Sequence, residues 1–127
     1  MSGPTQPKTF MITIPLYACR VMVQKGGCQD AFLKKWERWL GVKNDWMSTG
    51  QVEAGVLRHE RFPGMLGLYF REPKPEPEII AHECCHLAIR MLDRIGAKGL
   101  GIGDHEEPFA YLVEWLFKKV AAGRSNG

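Results

Sequence analysis

Pro77-Glu78-Ile79-Ile80-Ala81-His82-Glu83-Cys84-Cys85-His86-Leu87-Ala88-Ile89-Arg90-Met91-Leu92-Asp93-Arg94-Ile95 is the stretch on which the reading of this chain turns. Pro77 suits the first position of a helix, where its missing N–H has no intrahelical partner to lose. Gly96 stands where a helix would stop, so the spacing predicts a helix from 77 to about 95. With His82 as the origin of the wheel, Ile80, Cys84, Leu87, Ala88, Met91 and Ile95 cluster on the far side. A face that wide and that apolar has to pack on a core. The near side carries His82, Glu83, His86, Arg90 and Asp93, together with Ile79 and Ile89.

The near side contains the pattern H-E-x-x-H. Each helical residue advances about 100°, so His82 and His86 lie about 40° apart, one turn above the other. Two imidazoles at that spacing can grip one tetrahedral zinc ion, with Glu83 near enough to hold its bound water. A helix with two ordinary histidines would show the same five letters. The continuous polar stripe opposite a full apolar face favours a cleft over a plain solvent face.

Upstream, Phe10 to Ile14 alternates like a strand, Pro15 interrupts, Cys19 to Gln24 resumes the pattern, and Gly26-Gly27 ends it. Residues 29–40 form an amphipathic helix, with Phe32, Leu33, Trp36, Trp39 and Leu40 on one face and Gly41 at the stop. Residues 51–61 and 65–71 read as two strands around the turn Phe62-Pro63-Gly64. In the second, Leu66, Leu68 and Phe70 face one way and Met65, Tyr69 and Arg71 the other. Glu72 to Glu78 is an extended proline linker.

Downstream, glycines 96, 99, 101 and 103 mark a loop, followed by a last helix from about His105 to Ala121. Phe109, Leu112, Val113, Leu116, Phe117 and Val120 form its core face, and Glu107, Tyr111 and Glu114 a separate stripe. Two such helices side by side could bring their polar stripes together. A catalytic zinc needs a third protein ligand and one open position. Glu107 is the first choice, 20 residues beyond His86, with Glu106 and His105 as alternatives. Tyr111 could donate to a developing oxyanion, and Glu114 or Asp93 could orient a ligating imidazole. Cys84 reads as a buried thiol, and Cys85 flanks the motif.

His82-Glu83-x-x-His86 followed by Glu107-Pro108-Phe109-Ala110-Tyr111 resembles the zincin metallopeptidases of the glutamate-ligand branch, the gluzincins. The compact length and the Glu-Glu-x-x-Ala-Tyr string are similar to small metallopeptidase-like proteins encoded in tailed-phage genomes. The likeness covers about residues 65–121. It implies zinc held by His82, His86 and Glu107, Glu83 as general base, and a peptide substrate added as a strand along residues 65–71. Met65, Tyr69 or Arg71 would then face that substrate. Ile89 and Leu92 stand where the metzincin extension has Gly and His, so that branch does not apply.

Composition narrows the alternatives. The chain has 127 residues, enough for one domain but not two, and 45% are hydrophobic, enough for a core without disulfide staples. Seventeen basic against 14 acidic residues leave +3, too mild to argue for nucleic acid. No run approaches a membrane span or a secretory signal. Four cysteines, two of them adjacent, fit reduced thiols and a cytoplasmic setting, the host cytoplasm if the chain is phage-encoded. The expected fold is α+β: a minimal zincin-like domain at 9–122 between flexible tails at 1–8 and 123–127. Its small twisted sheet is packed by an N-terminal helix, the H-E-x-x-H helix and a C-terminal ligand helix. The competing expectation is a non-enzymatic, zinc-stabilised interaction or virion-associated protein. Oligomeric state is left open.

Overall fold

The computed structural model describes residues 7–43, 52–94 and 106–123, excluding the side chain of Glu106. His105, Ile95 and Gly96 lie outside these residues, as does the glycine loop. The elements run β1 (Lys8–Ile14), a 3-10 turn (Pro15–Tyr17), β2 (Cys19–Lys25), α1 (Gln29–Leu40), β3 (Ala54–Leu57), β4 (Met65–Phe70), α2 (Pro77–Arg94) and α3 (Glu106–Ala122). The class is α+β, with strands in the order β1-β2-β4-β3. β2 and β4 are parallel, and the outer pairs are antiparallel.

The interruption at Pro15 is a turn that closes when the Ala18 N–H donates to the Pro15 carbonyl at 3.0 Å, with Ala18 left-handed at φ 52°. Four expectations need correction. The strand expected over 51–61 is only four residues long in the sheet, because residues 59–65 close a double turn. There the Phe62 N–H donates to His59 O and the Met65 N–H to Phe62 O. The proline segment does not simply run extended. It bends back so that Pro73 lies against Gly26, where an added Cβ would sit 3.1 Å from the Pro73 Cβ. β4 is not an edge strand. Both its sides are paired, so a substrate strand cannot add there, and Tyr69 is buried under α1 instead of facing a cleft. β1 begins at Lys8, one residue inside the expected tail.

Period-two alternation divides the sheet into two unequal faces. On one side Phe10, Ile12, Ile14, Val21, Val23, Leu66, Leu68 and Phe70 meet the apolar faces of α2 and α3. On the other, Met22, Phe32 and Tyr69 form a smaller aromatic cluster beneath α1. Gly67 serves this second face. The Trp36 ring lies against it so closely that a Cβ there would sit 3.0 Å from the ring. Glycine in mid-strand lets the largest buried side chain seat flat on the sheet.

Chain direction matters for the site. α2 runs back along β4, since Arg94 at its end lies beside Gly64 just before that strand begins. α3 then returns, because Lys25 Nζ at the far end of β2 donates to the Ala121 carbonyl at 3.2 Å. The start of α2 and the end of α3 therefore share one end of the sheet, and the two helices pack antiparallel.

Candidate metal centre

The site begins with the burial of α2. Ile80, Cys84, Leu87, Ala88 and Met91 are buried, as the wheel requires, and Leu92 joins them. Burial of that face turns His82 and His86 outward, both exposed, one turn apart. Their rings meet edge to face with centroids 4.9 Å apart and planes at 74°, and their Nε2 atoms are 3.2 Å apart. In a tetrahedral zinc site with Zn–N of about 2.05 Å, two nitrogen ligands are separated by about 3.3 Å. The donor pair fits the ion.

Glu83 is the third element. It sits at the boundary between the apolar and polar sides of α2, buried at 8% exposure, with Oε2 4.0 Å from His82 Nε2. Burial pushes its carboxyl above the ordinary range, since desolvation penalises the charged form, while His82 and His86 pull it back down. A carboxylate so placed can accept a proton more readily than an exposed one and release it again.

The other expected residues are not drawn in. Glu107 is exposed in the first turn of α3, and Tyr111 is 66% exposed with no hydrogen-bond partner among the described residues. Glu114 pairs with Lys118 at 3.3 Å, an exposed i,i+4 ion pair. Neither imidazole Nδ1 has a described partner, so Asp93 and Glu114 do not orient these rings among the described residues. Among the described residues no group of three or more His, Cys, Asp or Glu side chains could hold a metal ion. His105 and the Glu106 side chain lie outside those residues. The reason is rotational. Leu112, Leu116 and Val120 are the buried line of α3, and Glu107, Tyr111 and Glu114 lie about 180° from it, so burying the core points the stripe at solvent.

Cys84 is fully buried, and desolvation pushes its thiol up to about 12, which makes it a packing group. Cys85 is half-buried beside the motif. Beyond His86 the stripe continues into a cleft of about 470 Å³ lined by Arg58, His59, Glu60, Pro63, Leu66, Arg90, Asp93 and Arg94. The sequence carried half a signal for it: Arg90 and Arg94 follow His86 at successive turns of α2. Nothing local marked Arg58 or His59, which the turn after β3 delivers. Comparison with protein-family models, with curated proteins and with solved structures finds no match.

Proposed function

We propose that this chain is a zinc-dependent metallopeptidase that hydrolyses peptide bonds, a minimal zincin-like domain with Glu83 as general base. The observation that carries the reading is the pair of histidine Nε2 atoms at 3.2 Å with a buried carboxylate 4.0 Å from one of them. Without a metal the two rings share a hydrogen bond across that gap, and zinc would replace it at nearly the same separation, above a carboxylate that is costly to bury. His82 and His86 are the ligands this supports. Glu107 is the third ligand that the resemblance implies, with Glu106 and His105 as its neighbours in the same role; exposed in the first turn of α3, it would have to turn toward the pair to supply it.

Zinc bound here would acidify a water molecule and polarise the scissile carbonyl. The protein's own part falls to Glu83. Its carboxylate takes a proton from the attacking water as the oxygen bonds to the acyl carbon. It returns that proton to the amide nitrogen as the C–N bond breaks, so the amine leaves neutral. Tyr111 is the oxyanion donor the sequence offers, a role that its outward position on α3 does not support. Extended substrate is assigned to the side of β3 that pairs with no strand among the described residues, where Ala54 and Val56 pack toward the α2 layer. Peptide or protein substrate is the partner. Among the described residues no helix is long and apolar enough to cross a membrane.

A second reading keeps the zinc and drops the turnover: an interaction or virion-associated protein. It is favoured by an open apolar groove on α3 lined by Phe109, Val113 and Phe117. Metal analysis and a peptide-library digest separate the two. The peptidase reading expects a single zinc per chain and cleavage that stops with chelator and returns with zinc. Zinc without cleavage supports the second reading, and no zinc removes both.

A further inference from the structure

The cleft beyond His86 lies on the same helical stripe as the histidine pair. Arg90 is one turn past His86, about 6 Å along the axis, and Arg94 one turn further. Arg58 and His59 approach from the turn after β3, so edge strand and motif helix both lead into it. Three guanidinium groups face two carboxylates, Glu60 and Asp93, around about 470 Å³. None of the three makes an ion pair within 4.0 Å of a carboxylate among the described residues, although Glu60 and Asp93 line the same space. No carboxylate among the described residues therefore claims their N–H donors.

Two details give these donors direction. Arg94 lies against Gly64, where an added Cβ would come within 3.3 Å of its Cζ, so the turn seats the guanidinium. The His59 Nδ1 accepts the Arg61 backbone N–H at 3.2 Å. That bond leaves its Nε2–H as a donor in the neutral ring. Planar guanidinium forks with a ring N–H beside them match a carboxylate, which accepts paired hydrogen bonds.

We propose that this cleft is the specificity subsite of the enzyme, binding a carboxylate of the peptide substrate. The carboxylate belongs either to a Glu or Asp side chain or to the chain's C-terminus. The inference rests on the peptidase reading for its meaning, and it is tested by binding, not by turnover.

The test uses immobilised full-length protein carrying Glu83→Gln, with added zinc. It is exposed to decapeptides acetylated at the N-terminus and amidated at the C-terminus, with one position fixed in turn as Glu, Gln or Lys. A parallel set carries a free C-terminal acid. Retention of Glu peptides, or of free-acid peptides, about tenfold above their Gln or amide counterparts is expected, and which set gains identifies the source of the carboxylate. The preference should disappear in Arg90→Gln and Arg58→Gln, both solvent-accessible positions, with folding checked by circular dichroism. Equal retention of Glu and Gln sets together with equal retention of acid and amide sets overturns the proposal. So does a preference that survives both arginine variants, or no retention of any set. If the preference is present but wild-type protein with zinc cleaves none of the retained peptides, the peptidase reading fails and the carboxylate subsite stands.

Discussion

α2 and α3 are built to the same plan, each with one buried apolar line and one stripe of reactive side chains, yet only α2 assembles a site. On α2, burial of Ile80, Cys84, Leu87 and Met91 leaves His82 and His86 together at the surface and catches Glu83 at the boundary. On α3, burial of Leu112, Leu116 and Val120 sends Glu107, Tyr111 and Glu114 to the opposite side, where Glu114 finds Lys118. The difference lies in angle. A carboxylate at the flank of a buried face is held, desolvated and aimed, whereas one diametrically opposite it is solvated like any surface acid.

The largest effect expected from breaking this contrast is at Glu83. Glu83→Gln should retain zinc and lose hydrolysis by at least about 10²-fold to 10⁴-fold, read by metal analysis beside a peptide assay. Full activity in this variant would remove Glu83 from the chemistry. His82→Ala or His86→Ala should abolish stoichiometric zinc, and unchanged zinc content would remove the pair as ligands.

Next come the packed faces. Leu116→Ala should cost about 2–5 kcal/mol in denaturant unfolding, because a fully buried side chain leaves a cavity. Tyr111→Phe on the opposite face should stay within about 0.5 kcal/mol. Its activity then decides its assignment: a fall in kcat at constant KM keeps Tyr111 on the oxyanion, and no change dismisses it.

A smaller effect follows from the desolvation of Glu83. A carboxyl whose folded pKa is raised holds its proton more tightly in the folded state, so its ionisation destabilises the fold. That penalty is complete above the folded pKa and absent below the unfolded value near 4.3. Metal-free Glu83→Gln should therefore melt above metal-free wild type at pH 7, and the gap should close as pH falls into the carboxylate range. A gap that persists at acid pH would trace to packing instead of charge. The smallest effect is chemical: in the metal-free protein an alkylating reagent should modify exposed Cys28 and spare buried Cys84. Equal labelling would show that α2 opens.

Much of this was legible in the sequence. Local periodicity placed α1, α2 and α3, the Pro15 break and the two faces of β4, since each depends on neighbours within one or two turns. Trp36 at zero exposure and Gly41 at the end of α1 follow from the same spacing. The β4 edge was misread because pairing partners are distant in sequence. Arg20 to Lys25 occupy one side of β4 and Ala54 to Leu57 the other, and no alternation within 65–71 encodes that. β3 is shorter than expected because the chain turns from His59, three residues before the Phe62-Pro63-Gly64 signal, through hydrogen bonds that the composition does not announce.

Sequence by itself determined the histidine pair. The one-turn spacing of His82 and His86 and the apolar line behind them are properties of a single helix, whatever that helix packs on. Tertiary structure alone decided what surrounds the pair. The burial of Glu83, the paired sides of β4 and the arrival of Arg58 and His59 beside Arg90 depend on how separate elements rotate and run against each other. Packing sets that rotation by burying the most apolar surface of each element at once, a condition on the whole chain that no single segment carries.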